Sequence, residues 1–338
     1  MVRVNCRPIP VALRCRYVAG VLTRRTLLGA LATSAAAVTL GGCVRSSDYR
    51  PGPLRIATGG AGGVYYAYGK GIAAAVHRRL PGLAPEVVQT AASVDNLRLV
   101  GGGGAEVGFA LADSAAAAIA GLAPFDRRQP LVALARLYDN YLHLVVRADG
   151  PIADLAGVVG HRVSLGAGGS GTELIVGRLL TAAGIDPGRV STSPLGVDES
   201  VAELAAGRLD GFFFSAGLPV GAIAVIARTV PIRLVDVGGP VEKLRTAYGE
   251  FYTERTIPAS TYGLDQAVAT VGVANYLVVA KAMAEPLAHH LTRLLFTERD
   301  LLVTAHPEAR RLDRRTGIDT YPLRLHPGAA RYFREAKG

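Results

Sequence analysis

The chain has 338 residues, of which 50% are hydrophobic and 19% are charged. It is too apolar and too long for a disordered or a disulfide-stapled protein, and it is long enough for two hydrophobic cores. The formal net charge of +10 lies mainly at the start, since residues 1–42 contain six arginines and no acidic residue. The remaining chain has a net charge of only +4 and no run of five or more Lys or Arg residues, so we expect no nucleic-acid partner.

The first 42 residues are predicted to be an export signal. An arginine pair at 24–25 precedes an apolar stretch over 28–40, which is followed by Gly-Gly-Cys ending at Cys43. The arginine pair is typical of a twin-arginine signal, and small residues before a cysteine resemble the lipobox of lipoproteins, in which Cys43 would be acylated. The apolar stretch is shorter than the roughly 20 residues of a membrane span. We expect a lipoprotein on the outer face of the cell membrane, with a flexible tether over 43–53; the alternative is a signal peptide in which Cys43 has no such role.

Beyond the tether the chain alternates between predicted strands and helices. The order strand, glycine-rich loop, helix occurs twice, over 54–58, 59–63 and 66–80, and again over 161–165, 166–171 and 172–183. Alternation of this kind predicts an α/β fold with parallel strands and helices on both faces of the sheet.

The two repeats predict two lobes. Lobe 1 comprises 54–141 together with 252–338, because the C-terminal part has no glycine-rich opening of its own and is expected to return to the first lobe. Lobe 2 comprises 142–251. The chain would then cross between lobes near Tyr141 and near Phe251, and these two crossings would form a hinge.

The two glycine-rich loops are the candidate ligand sites. Each precedes a helix whose first N–H groups lack intrahelical partners, and such groups bind anions together with the helix dipole. Ser170 and Thr172 add hydroxyl donors beside the second loop. A dinucleotide site would need an acidic residue at the end of the next strand, whereas Asp186 precedes that strand and Asp198 lies past it, so no cofactor is expected. The alternative for the first loop is a tight turn without a ligand.

Signatures of catalysis and of metal binding are weak. Neither Ser170 nor Ser215 lies in a G-x-S-x-G elbow, and the seven histidines have no metal-like spacing. We therefore expect a binding protein with no catalytic residue and no metal. An exported enzyme that uses Ser170 or Asp113 is the less favoured alternative.

Seven segments carry a family resemblance. They are TGGAGGVYY at 58–66, ASVDNL at 92–97, EVGF at 106–109 with Asp113, GGSGTE at 168–173, FFFSAGLP at 212–219, FY at 251–252 with IPASTY at 257–262, and HPGA at 326–329. Together they resemble the TAXI family of solute receptors, the extracytoplasmic binding proteins of tripartite ATP-independent periplasmic (TRAP) transporters. The resemblance extends over nearly all of 54–333.

The resemblance implies a type II periplasmic binding protein fold, in which two α/β lobes close over a ligand such as glutamate or a dicarboxylate. It also implies that the protein is a monomer. Its expected partners are a small anionic or zwitterionic solute and the permease subunits of a TRAP transporter. A receptor for a signalling partner remains the alternative. Leu111 and Ala112 stand where family members commonly have Gln and Ser, and Arg136 stands where a small residue is usual, which leaves a different ligand open.

The loop analysis and the resemblance together give fourteen candidate ligand-binding residues. They are Gly60, Gly62, Gly63, Val64, Tyr65, Ser93, Asn96, Asp113, Ser170, Gly171, Thr172, Phe214, Ala216 and Gly217. Two roles remain open for Asp113, which would either meet an ammonium group or cap the helix predicted over 115–120.

Overall fold

The computed structural model describes residues 48–337. Its strands are β1 Gly52–Ala57, β2 Leu83–Val88, β3 Val107–Leu111, β4 Leu131–Arg147, β5 Arg162–Ser164, β6 Ser191–Thr192, β7 Gly211–Ala216, β8 Ile232–Leu234, β9 Tyr252–Ile257 and β10 Val268–Ala280. Its α-helices are α1 Val64–Arg79, α2 Ser93–Gly101, α3 Ala112–Ala120, α4 Gly171–Ala182, α5 Val197–Ala205, α6 Gly221–Ile226, α7 Val241–Tyr248, α8 Glu285–Thr297, α9 Arg299–Ala305 and α10 Pro327–Glu335.

The ten strands of this part of the chain form one sheet with a repeated strand order. The first strand set has the order β2-β1-β3-β10-β4, and the second strand set has the order β6-β5-β7-β4-β8. In each set three parallel strands are followed by two antiparallel pairings. This repeated order is the topology of type II periplasmic binding proteins, so the predicted α/β fold class is confirmed.

Strand β4 belongs to both strand sets. Its residues 131–141 pair with β10, whereas residues 141–146 pair with β7. Tyr141 is the residue at which the pairing changes, since it lies opposite both Gly272 and Ala216. The long strand therefore connects the two sets without a loop between them.

The hydrophobic core lies on both faces of the sheet. Phe212 and Phe213, neighbours in β7, are both buried and belong to different hydrophobic clusters, because successive side chains of a strand point to opposite faces. On α1, the residues Tyr68, Ile72 and Val76 recur every four positions and are buried, so one stripe of this helix packs on the sheet. This packing fixes the position of the α1 N-terminus relative to the strands of the first set.

The folded chain begins before the predicted start at residue 54. Asp48 accepts a hydrogen bond from His290, Tyr49 is buried with its hydroxyl donating to the Pro81 carbonyl, and β1 begins at Gly52. The prediction of a free tether is therefore wrong for residues 48–53, because burial of the Tyr49 ring holds this segment on the fold. The predicted signal over 1–42, the rest of the tether and Cys43 lie outside the described residues. Within 48–337, no helix has the length and apolarity that a membrane span requires.

Candidate ligand-binding site

A cavity of about 330 Å³ lies where the two glycine-rich loops meet. Its wall includes the loop after β1, the start of α2, the start of α4 and the end of β7. Ten of the fourteen candidate residues line it: Gly60, Gly63, Val64, Tyr65, Ser93, Ser170, Gly171, Thr172, Phe214 and Ala216. The fold thus brings together residues from both strand sets at one cavity.

The start of α1 presents unpaired backbone donors to this cavity. Gly63 is the N-cap, and no side chain caps the helix. The N–H groups of Val64 and Tyr65, in the first turn, have no intrahelical acceptor. Both residues line the cavity, so these N–H groups are available to a ligand.

The start of α4 has the same arrangement on the other side. The N-cap Ser170 accepts the N–H of Glu173 through its hydroxyl oxygen at 3.0 Å, which leaves the N–H groups of Gly171 and Thr172 in the first turn. Gly169 has a φ of 80°, a backbone conformation that glycine adopts readily and other residues rarely do. The second loop therefore needs a glycine at this turn, and the helix start behind it faces the cavity.

The hydroxyl groups at the wall are already partly engaged. The Thr172 oxygen accepts the N–H of Ser215 at 3.1 Å, and the Ser93 oxygen accepts the N–H of Leu111 at 3.2 Å. Ser170 acts as a helix cap. Each of these oxygens accepts a backbone N–H of its own strand set and keeps its hydroxyl hydrogen, so Ser170 and Thr172 remain predicted ligand donors.

An asparagine of β4 lines the cavity and is hydrogen-bonded to an asparagine of β10 behind it. Asn140 in β4 lines the cavity and donates to the Ser215 carbonyl at 3.1 Å, and Asn275 in β10 donates to Asn140 at 2.6 Å. Tyr65 is 3.3 Å from Ser93 through its hydroxyl, and burial raises the pKa of Tyr65 above its usual range. The phenol therefore stays protonated and available as a hydrogen-bond partner.

Ala92 is held in a strained backbone conformation on the same wall. It precedes α2 with a φ of 107°, and its N–H donates to the Thr90 hydroxyl at 2.9 Å. A positive φ at alanine costs free energy and is concentrated at functional sites. The strain supports a functional role for this wall.

Four candidate residues do not line the cavity. Gly62 is not a lining residue, but its N–H donates to the carboxylate of the lining residue Asp198 at 3.0 Å. Asn96 is fully buried and donates to the carbonyls of Thr58 and Phe109, so it holds the first strand set together. A Cβ at Gly217 would lie 2.8 Å from the ring of Tyr138, away from the cavity.

Asp113, the fourth, is fully buried in an ion pair between the two strand sets. Its carboxylate is 3.4 Å from the Arg178 guanidinium and accepts the hydroxyl proton of Tyr252 at 3.0 Å. Burial raises the pKa of Asp113, against the opposing effects of Arg178 and Tyr252. It is also no helix cap, because α3 begins at Ala112 with Leu111 as its N-cap. Neither of the two predicted roles for Asp113 is present.

The charged residues at the cavity were missed by sequence reasoning. Asp198 and Glu199, at the start of α5, are the charged side chains among the described lining residues, and none of those residues is Lys, Arg, His or Cys. Arg136, which the sequence analysis noted as unusual at its position, does not line the cavity and forms ion pairs with Asp139 and Asp319. The sequence pattern that could have indicated Asp198 is the glycine N-cap of α5 directly before it, which is too common to identify a binding site.

No metal site is indicated in the described part of the chain. Among residues 48–337 no three His, Cys, Asp or Glu side chains are grouped as metal ligands.

Comparison with known proteins places this fold in a family. The chain matches the NMT1-like family over residues 56–337. It belongs to the NMT1-like family. Because the match covers both strand sets, this NMT1-like protein has its cavity and both glycine-rich loops inside the family region.

Solved structures similar to this NMT1-like protein include transport-related binding proteins. The periplasmic aliphatic sulphonate binding protein SsuA from Escherichia coli is 17% identical, with 84% of this chain and 83% of that chain covered and a TM-score of 0.46. The alkanesulfonate-binding protein SsuA from Xanthomonas axonopodis pv. citri, bound to MOPS, is 16% identical, with 85% and 84% covered and a TM-score of 0.49. A putative L-cystine ABC transporter from Listeria monocytogenes is 14% identical, with 75% and 93% covered and a TM-score of 0.45.

Proposed function

We propose that this protein is an extracytoplasmic solute-binding protein, anchored to the outer face of the cell membrane through a lipid on Cys43. It binds a small anionic or zwitterionic solute between lobe 1, residues 54–141 with 252–338, and lobe 2, residues 142–251. It performs no catalysis and delivers the solute to the permease subunits of a TRAP-type transporter, as the TAXI-like motifs imply. The observation that carries this proposal is the meeting of two glycine-rich loops, one from each strand set, at a single cavity.

Lobe closure is the mechanism that this arrangement supports. The N–H of Asp95, in α2, donates to the Gly169 carbonyl at 3.1 Å, and the N–H of Gly62 donates to Asp198. These bonds join the two strand sets around the cavity. A solute that contacts both helix starts stabilises the closed arrangement, because only there do both sets of N–H groups reach it. The change of pairing at Tyr141 supports a hinge at this point of β4.

The chemistry of the wall favours binding over catalysis. A serine nucleophile needs a neighbouring base, and the described lining residues contain no imidazole or amine. The oxygens of Ser93 and Ser170 accept backbone N–H groups instead. What the wall offers a solute is backbone N–H groups, hydroxyls, amides and the carboxylates of Asp198 and Glu199.

A thermal-shift screen of amino acids, organic acids and sulfonates tests the proposal. A true ligand at 100 times its dissociation constant stabilises the native state by about 2.7 kcal/mol. We expect saturable stabilisation by one chemical class and no turnover of that solute on prolonged incubation. Stabilisation by no compound contradicts solute binding, and conversion of a compound to a product favours the enzyme alternative. Solute uptake by membranes that contain the TRAP permease, with and without this protein, tests the delivery step separately.

A further inference from the structure

The charges around the cavity do not match those that a doubly charged anion requires. Asp198 and Glu199 line the cavity with exposed carboxylates, and none of the lining residues that the structure describes carries a positive side chain. A carboxylate that enters this space therefore meets negative side chains and finds only backbone and neutral donors.

Asp198 already acts as an anion at the first glycine-rich loop. Its Oδ2 accepts the N–H of Gly62 at 3.0 Å, although 136 residues separate the two in sequence. Gly62 lies directly before the N-cap of α1, so the carboxylate adds its negative charge beside the start of that helix. The protein thus supplies one of the anions that this loop attracts.

Glu173 has the corresponding position at the second loop. Its Oε2 accepts the N–H of Gly169 at 2.8 Å, and its own N–H donates to Ser170. Two N–H groups of the α4 start remain, those of Gly171 and Thr172. Both loops therefore contain a carboxylate of the protein before any solute binds.

The helix dipoles supply little positive charge beyond what the protein already uses. Each helix N-terminus is equivalent to roughly +0.5 of an elementary charge, so α1 and α4 together supply roughly one, and Asp198 and Glu173 already place carboxylates beside these two starts. One solute carboxylate can still accept the remaining N–H groups of both helix starts. A second one would have no counter-charge, whereas an ammonium group would be attracted by Asp198 and Glu199.

We propose that this cavity selects solutes with one anionic group and a remainder that is cationic or neutral, and that Asp198 and Glu199 exclude solutes with a second anionic group. The type of solute that fits is a zwitterionic amino acid with an uncharged side chain, rather than glutamate or a dicarboxylate. The cavity volume of about 330 Å³, at the lower end of the range for small-molecule sites, suits a compound of that size. This inference rests on the proposed solute-binding function.

Calorimetric titration with matched pairs tests the inference. The probes are glutamine with glutamate, asparagine with aspartate, and pentanoate with glutarate, followed by the remaining common amino acids. The members of each pair are similar in size and differ by one negative charge. We expect the tightest solute to have a single anionic group, and the less charged member of a pair to bind at least about tenfold tighter than its partner.

Variants of α5 identify the residues responsible. Asp198→Asn combined with Glu199→Gln keeps hydrogen-bond acceptors at both positions and is expected to reduce the ratio within a pair to about threefold or less. The matched control is Glu203→Gln on the same helix, where Glu203 pairs with the exposed Arg208 and does not line the cavity, so the ratio should be unchanged. A solute with two anionic groups as the tightest solute, or an unchanged ratio in the double variant, overturns the charge selection alone. Binding of no probe at all overturns the proposed solute-binding function and the inference with it.

Discussion

His143 and Tyr262 share a hydrogen bond of 2.9 Å between the imidazole Nε2 and the phenolic oxygen. The Nδ1 of His143 lies 2.9 Å from the Tyr141 carbonyl oxygen and 3.1 Å from the Phe214 carbonyl oxygen, so Nδ1 has the hydrogen and donates it. Burial lowers the pKa of His143 to about 4, so the ring is neutral and Nε2 accepts the hydroxyl proton of Tyr262. The Tyr262 oxygen in turn accepts the N–H of Val220.

Acid is expected to destabilise the fold through His143. In the unfolded chain this imidazole takes up a proton near its usual pKa of 6.5, whereas in the native state it does so only near 4. Between these values the unfolded state binds more protons, so the free energy of unfolding falls as the pH drops, by about 3 kcal/mol over the whole window. Urea unfolding of the native sequence and of His143→Gln at pH 7 and pH 4.5 measures this. The same loss in both proteins would contradict the assignment to His143.

The buried pair of Asp113 and Arg178 is expected to stabilise the contact between the strand sets. Arg178→Met leaves a fully buried carboxylate without its cation, and we expect a loss of about 3–5 kcal/mol in the free energy of unfolding. Because protonation of Asp113 removes that charge, the loss should be smaller at pH 5 than at pH 7.

The control for this pair is the double variant Asp113→Asn with Arg178→Met. It has no buried charge to leave uncompensated, so most of the stability should return. If the single and double variants are equally unstable in urea, the guanidinium contributes through packing and not through its charge.

Gly171→Ala is expected to weaken solute binding by about tenfold or more, because overpacking by one methyl group costs about 1–3 kcal/mol. A Cβ at this position would lie 2.7 Å from both the Leu111 side chain and the Ser93 oxygen, which belong to the first strand set. Calorimetry with a solute from the screen measures the effect. Gly168→Ala in the same loop is the matched control, because no atom lies within 4 Å of its Cβ. Equal dissociation constants for the two variants would show that the second loop does not close on the first.

Cys43→Ser is expected to abolish labelling by a fatty-acid analogue and to release the protein from the membrane fraction. The prediction rests on the sequence Gly-Gly-Cys after the apolar stretch at 28–40. Cys6→Ser and Cys15→Ser, both within the predicted signal, are the matched controls and should leave labelling unchanged. Correct processing together with membrane retention of Cys43→Ser would exclude a lipid at this residue.

Local patterns were sufficient to predict the fold class and ten of the residues that line the cavity. Strand, glycine-rich loop and helix follow one another within about thirty residues, and the ends of parallel strands lie at one edge of a sheet, where open α/β proteins bind ligands. For this reason Tyr65 and Thr172, which are distant in sequence, were both predicted at the site that they now share.

Sequence reasoning failed in two ways. It missed cavity residues that come from a distant part of the chain, and it included polar residues whose side chains are buried in the core. Asp198 meets Gly62 through a contact that depends on how the two strand sets approach each other, and no periodicity encodes that approach. Asn96 and Asp113 are polar residues next to loops, but their side chains are buried among partners of the core. A single sequence does not distinguish a polar group that faces a cavity from one that is satisfied within the core.

The membership of β4 in both strand sets means that this molecule cannot be cut into two autonomous pieces. A fragment over 131–257 contains every strand of the second set, yet its removal deprives the first set of its last strand. The reverse fragment lacks β4 for the same reason. Each strand set therefore needs the other for a complete set of strand pairings. A substitution that disrupts the middle of β4 is expected to disrupt strand pairing in both sets.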